Sequence, residues 1–132
     1  MATSTVMVYD EKPSGERSEG IKLEFMTARI TARELIRKRV FEEVRDYNMK
    51  EPGVFRGLVE PTGAERILNG YKLKERRKID WEEQARKAEE AFERNGFFML
   101  VDDRQIEGLD DPVDLAIGTT VSFVKLTPLV GG

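Results

Sequence analysis

From Phe97 to Val101 the chain is apolar without interruption, with Gly96 before it and Asp102 and Asp103 after it. A short apolar run bounded by turn residues predicts a fully buried strand. The chain around it has 132 residues, 39% hydrophobic and 36% charged. That length suits one domain with a modest core, and that charge suits a heavily solvated surface or a segment standing away from the core.

Other strands announce themselves by alternation. Thr5 to Tyr9 is β-branched and aromatic; Pro13, Gly15, Ser18 and Gly20 punctuate the next stretch; Ile21 to Phe25 alternates apolar and polar. Together they predict an antiparallel hairpin with one buried face. Thr31 and Glu34 have capping-box spacing, and Ile36, Val40, Val44 and Tyr47 fall on one helical face. A helix is predicted from about Ala32 to Tyr47, ended near Asn48 and before Pro52.

Residues 48–96 form an irregular insertion between this helix and the apolar run, with turns at Pro52-Gly53, Gly57 and Pro61 to Gly63. Thr62 and Glu65 fit the cap of a short helix through Leu68; a hairpin turning at Asn69-Gly70 fits equally well. Asp80 and Glu83 then cap a second helix. Its stripe of Trp81, Ala85, Ala88 and Phe92 is thin, so it should cover something rather than centre a core, and Gly96 suits its C-terminus. Further on, Gln105-Ile106 is a brief strand, Asp110 to Pro112 a loop, and Val113, Leu115 and Ile117 a compact turn. Thr119 to Leu126 is a last strand, and residues 127–132 are a free tail. Strands with segregated helices make the fold class α+β.

The chain has no cysteine and no histidine, which removes thiol nucleophiles, disulfides and the commonest metal ligands. Net charge is -3 with both signs interspersed, so there is no global case for binding nucleic acid or a membrane surface. No apolar run approaches membrane-spanning length, and the start lacks the layout of a signal peptide. A cytoplasmic protein without catalysis of its own is the expectation.

The hairpin, the long helix and the stretch from Phe97 onward resemble the ubiquitin-like β-grasp family. The nearest motif is FMLVDDRQIEGL, from Phe98 to Leu109, continued by LAIGTTVSFVKLTPLVGG. It is similar to ubiquitin's central strand, turn, short fourth strand and closing strand, ending in Gly131-Gly132. The resemblance covers roughly the first 47 and the last 36 residues and leaves 48–96 as an insertion. It implies a mixed sheet packed on a long helix, in a single ubiquitin-like domain with a second helix in the insertion. The ending Pro128 to Gly132 also resembles the sulfur carriers of molybdopterin and thiamin synthesis, which share the fold.

What the resemblance implies about function centres on that ending. A carboxylate acylates poorly until ATP converts it to an acyl-adenylate, and glycine suits the narrow site where this happens because no Cβ obstructs it. The chain would be the passenger of an ATP-dependent adenylating enzyme and would bind no cofactor itself. Attack by an enzyme cysteine leads to an isopeptide bond on a target protein; conjugating enzymes and a deconjugating protease are then further partners. Sulfide or persulfide chemistry leads to a thiocarboxylate instead. A non-conjugated β-grasp interaction module, with Gly131-Gly132 incidental, is the competing class.

Leu100 and Leu126 resemble two members of ubiquitin's exposed recognition patch, and the tail residues Leu129 and Val130 join them as candidate partner contacts. The third member has no apolar counterpart in the loop from Glu11 to Ser18. Arg104 stands where ubiquitin carries a chain-building lysine, and a guanidinium is no acceptor amine. Lys72, Lys74, Arg76, Arg77 and Lys78 are basic, but Glu75, Asp80, Glu82 and Glu83 beside them favour a self-paired solvated face. The neighbours Glu42-Glu43 and Asp102-Asp103 read as helix surface and turn rather than acid–base pairs.

Overall fold

Strands and helices follow one another as β1 (Ser4–Glu11), β2 (Ile21–Phe25), β3 (Arg29–Thr31), α1 (Ala32–Lys50), β4 (Ala64–Ile67), β5 (Gly70–Leu73), α2 (Trp81–Glu93), β6 (Phe97–Val101), β7 (Arg104–Ile106), β8 (Pro112–Asp114) and β9 (Thr120–Lys125). The structure is a computed structural model that describes residues 3–50, 53–67, 70–75, 77–116 and 118–126. The fold is α+β, with two helices and a mixed five-stranded sheet. Its contacts gather in two units: residues up to Glu34 together with those from Phe92 onward, and Leu35–Ala91.

In the first unit the sheet order is β2-β1-β9-β6-β7. β1 pairs antiparallel with β2 and parallel with β9, while β6 lies antiparallel to β9 on one side and β7 on the other. Period-two alternation turns Val6, Val8, Leu23, Phe97, Met99, Val101, Val121 and Phe123 to one buried face. Phe97 is tilted against Phe92 and Phe123, with ring centroids 5.8 and 5.7 Å away. The expectation of a fully buried β6 is corrected by this geometry. Phe97, Met99 and Val101 are buried, but Phe98 and Leu100 are only half-buried, because only one face of the sheet is covered.

Val113 lies in a strand and not in the expected compact turn. Ile30 and Val113 sit opposite one another in the small β3–β8 pair, and both are buried. Strands this short show no periodicity of their own. The loop before β8 also serves α1: Asp111 and Leu109 carbonyls accept from the Ala32 and Arg33 amides at 3.0 and 2.7 Å. The Thr31 hydroxyl accepts from the Glu34 amide at 3.2 Å. Three of the amides left unpaired at a helix start are thereby satisfied.

In the second unit α1 buries Leu35, Ile36, Val40 and Val44. It runs to Lys50 rather than stopping at Tyr47. Asn48 does not end the helix, because its side-chain amide is engaged elsewhere. It donates to the Ile79 carbonyl and accepts from the Ile79 amide, each at 2.9 Å. The two readings of 62–73 resolve to a hairpin, with β4 antiparallel to β5 and Glu65 opposite Lys72. Leu68, Asn69 and Ile117 lie outside the described residues. Phe55 and Tyr71 exchange both backbone hydrogen bonds at 2.8 Å, extending the hairpin by a third segment. Gly70 permits that approach: a Cβ there would strike the Phe55 carbonyl.

Asp80 caps α2 through its carboxylate, which accepts from the Glu82 amide at 3.0 Å. The helix ends at Glu93, and the left-handed residue that follows it is Asn95, with φ of 61°, and not Gly96 as expected. Asparagine tolerates the left-handed conformation better than most residues, so it takes the glycine's place. Trp81 meets Phe41 edge-on at 5.3 Å between centroids, and the Arg37 guanidinium lies 5.2 Å over its ring.

The largest buried side chain is charged. Arg39 is 1% exposed and donates from Nε to Glu43, one helical turn on. The second Glu43 oxygen accepts from the Leu58 amide at 2.9 Å, tying the irregular segment after α1 to the helix. Removing the Glu43 carboxylate takes a buried charge partner from Arg39 and the acceptor from the Leu58 amide. Glu43→Ala should therefore destabilise the protein by about 3 kcal/mol in urea unfolding. Thr31→Ala, which loses only a cap, should cost about 1 kcal/mol.

Candidate functional site

The second face of the sheet carries an apolar strip, built by the same alternation that forms the core. Register sets Phe98 opposite Val124 and Leu100 opposite Ser122, and carries the face across to Tyr9 and Met7 of β1. Phe98, Leu100, Val124, Met7 and Tyr9 are all of intermediate exposure. Leu126, one residue past β9, is 42% exposed and continues the alternation of Ser122 and Val124.

Leu100 and Leu126 therefore share a face without touching. Leu126 lies four positions beyond Leu100's register partner, about 13 Å along the strand. Phe98 and Val124 fill the interval and are the members that sequence reasoning missed. The signal was available: alternation within β6 puts Phe98 with Leu100, and alternation within β9 puts Val124 with Leu126. Reading the apolar run as buried on both faces hid it.

The loop between β1 and β2 crosses one end of this face. It brings no apolar side chain there but the cation of Arg17. The guanidinium sits 4.6 Å from the centre of the Tyr9 ring, donates to the Ser122 hydroxyl at 3.5 Å and pairs with Glu11 at 3.8 Å. Ser122 is consequently buried although it lies on the open face. The result is an apolar strip bounded on the β1 side by a positive charge held in place by a ring, a hydroxyl and a carboxylate. Such a surface binds by excluding water from the strip, with the rim charge setting orientation.

Gly131, Gly132, Leu129 and Val130 lie outside the described residues. What leads to them is β9, whose last residue is Lys125.

The other candidates are absorbed into the architecture. Glu42 pairs with Lys38 at 3.3 Å and with Arg45, while Glu43 serves Arg39 and Leu58. Asp102 and Asp103 have φ of 48° and 67° in a tight turn, where Asp102 accepts from the Thr120 amide at 3.0 Å. In the basic segment Arg77 donates to the Thr62 and Lys78 carbonyls; Arg76 lies outside the described residues. Burial pushes the Tyr71 phenol above its ordinary value, with Arg66 opposing the rise and Glu60 and Glu43 adding to it. A shallow cavity of about 270 Å³ in the second unit has Tyr47 and Phe55 in its wall. Glu43, Asp46, Lys50 and Arg56 also line it, so its mixed charge selects no ligand class. Among the described residues no group of histidine, cysteine, aspartate and glutamate side chains could hold a metal ion, and no helix is long and apolar enough to cross a membrane.

The two sheet faces should differ sharply on substitution. Leu100→Ser, on the open face, should cost about 1 kcal/mol or less in urea unfolding, in line with most surface changes. Met99→Ala, fully buried one residue away, should cost about 2–5 kcal/mol. Comparable losses at the two positions would mean that the Leu100 face is core. No protein-family model, no curated protein and no solved structure matches this chain.

Proposed function

We propose that this chain is a ubiquitin-like β-grasp modifier: a cytoplasmic passenger protein, activated at Gly132 by an ATP-dependent adenylating enzyme and transferred to lysines of target proteins. The observation that carries the proposal is the place of the closing strand. β9 comes after β6 and β7 in the chain, yet it lies in the middle of the sheet, parallel to β1. A segment following β9 thus starts from a strand paired on both sides. With β3, β4, β5, α2 and β8 set aside, the chain order of the β1–β2 hairpin, α1, β6, the short β7 and the closing β9 is the order on which the ubiquitin resemblance rests.

The strip of Phe98, Leu100, Val124 and Leu126 gives further support. It runs toward the end of β9 from which the tail departs, so one partner could bind the strip and take hold of the tail. Binding energy from the strip would then serve to position a carboxylate that has little surface of its own. The glycine pair works in the same way whether it is the chain's last segment or is uncovered by cleavage. In this chemistry the chain is acted upon and supplies no catalytic group.

A sulfur carrier is the second reading, favoured by the sequence Pro128 to Gly132. One experiment separates the two. The chain, tagged at its N-terminus, is expressed in its organism of origin and purified under denaturing conditions for intact and peptide mass spectrometry. A modifier yields higher-mass adducts whose peptides join Gly132 to a target lysine, and deleting Gly131 and Gly132 abolishes them. A sulfur carrier yields the unconjugated chain with sulfur in place of one oxygen. Neither product, with function intact after the deletion, would leave a non-conjugated interaction module.

A further inference from the structure

β2 is the outermost strand of the five-stranded sheet; β1 lies on one side of it and, among the described residues, no strand lies on the other. An open edge of this kind presents a row of backbone donors and acceptors ready to pair with another strand. Natural edges are commonly guarded by charge, and β2 carries two charges. They have opposite signs and stand symmetrically about one residue. The strand reads Ile21, Lys22, Leu23, Glu24, Phe25.

We infer that two copies of this chain associate through antiparallel pairing of their β2 edges, centred on Leu23. In that register Leu23 faces Leu23 of the second copy. Lys22 faces Glu24 of the second copy, Glu24 faces its Lys22, and Ile21 faces its Phe25. Directly opposed residues share a sheet face, so both ion pairs fall on the open face and the apolar pairs on the core face. A one-residue slip would turn one copy's buried face outward. Centring the pair on Lys22 or on Glu24 sets like charges against each other, as does in-register parallel addition.

Neither charge is engaged by a side chain of its own sheet. Across β1, Lys22 is opposite Met7 and Glu24 is opposite Thr5. Both side chains are exposed, and among the described residues neither has an ion-pair partner. Ile21 is 39% exposed, unusually open for a large apolar residue in a strand of this sheet, and pairing would cover it with Phe25 of the second copy. Association would run the sheet continuously through both copies. It uses the opposite edge from β7 and leaves the strip of Phe98 and Leu100 accessible, so it stands apart from the proposed modifier function.

Charge reversal tests the pairing by sedimentation velocity across a concentration series of the full chain. The parent should show a concentration-dependent monomer–dimer equilibrium. Lys22→Glu and Glu24→Lys should each weaken it roughly tenfold or more, since two cross-strand attractions become repulsions. An equimolar mixture of the two variants should form a heterodimer, and the double variant K22E/E24K should dimerise like the parent. Circular dichroism confirms that each variant is folded, and recovery in the double variant separates lost pairing from lost folding. A parent that stays monomeric throughout would overturn the inference. So would a dimer indifferent to the single reversals, or variants that fail to pair when mixed.

Discussion

The sheet depends on β9. Its backbone pairs parallel with β1, more than a hundred residues earlier, and antiparallel with β6. Without it the sheet divides into the β1–β2 and β6–β7 hairpins, and two-stranded hairpins are marginal in water. Val121 and Phe123 of β9 are fully buried and stand opposite Val8 and Met99, so the same strand that completes the hydrogen bonding also joins the apolar rows of both hairpins. Closing so long a loop has an entropic cost, but that cost grows only logarithmically with length, which is why a large insertion between α1 and β6 is tolerable.

The segment between the two helices solves a different problem. The chain there is mostly irregular, and buried backbone groups still need partners. Side chains of the two helices supply them: Glu43 reaches the Leu58 amide, Gln84 the Val59 carbonyl, and Asn48 both groups of Ile79. Arg39 donates to the same Glu43 carboxylate from within the helix. A polar residue in this unit thus does what a neighbouring strand does in the sheet.

Legibility in the sequence follows that division. β2 has the bounds that alternation predicts, and β6 lies where the apolar run predicts, because period two and abrupt turn signals are local. Asp80 and Thr31 mark the starts of the helices through the hydrogen bonds their side chains make. What local pattern could not reveal was set by distant partners. β3 and β8 are strands only because they meet each other, Asn48 continues its helix because Ile79 occupies its side chain, and Asn95 takes the left-handed turn expected of a glycine. For the open face, Leu100 and Leu126 are legible through the resemblance. Phe98 and Val124 between them are not, because a continuous apolar run implies burial on both faces of a central strand where only one face is covered.

Native-state hydrogen exchange tests the role of β9 most directly. If β9 holds the two hairpins together, the amides of Val121 and Phe123 open only when the whole sheet unfolds. Their opening free energies should then equal those of Val8 in β1 and Met99 in β6, and all should fall together with added denaturant. Exchange of the β9 amides through a separate low-energy opening, with β1 and β6 still protected, would show a strand that frays from a sheet able to stand without it.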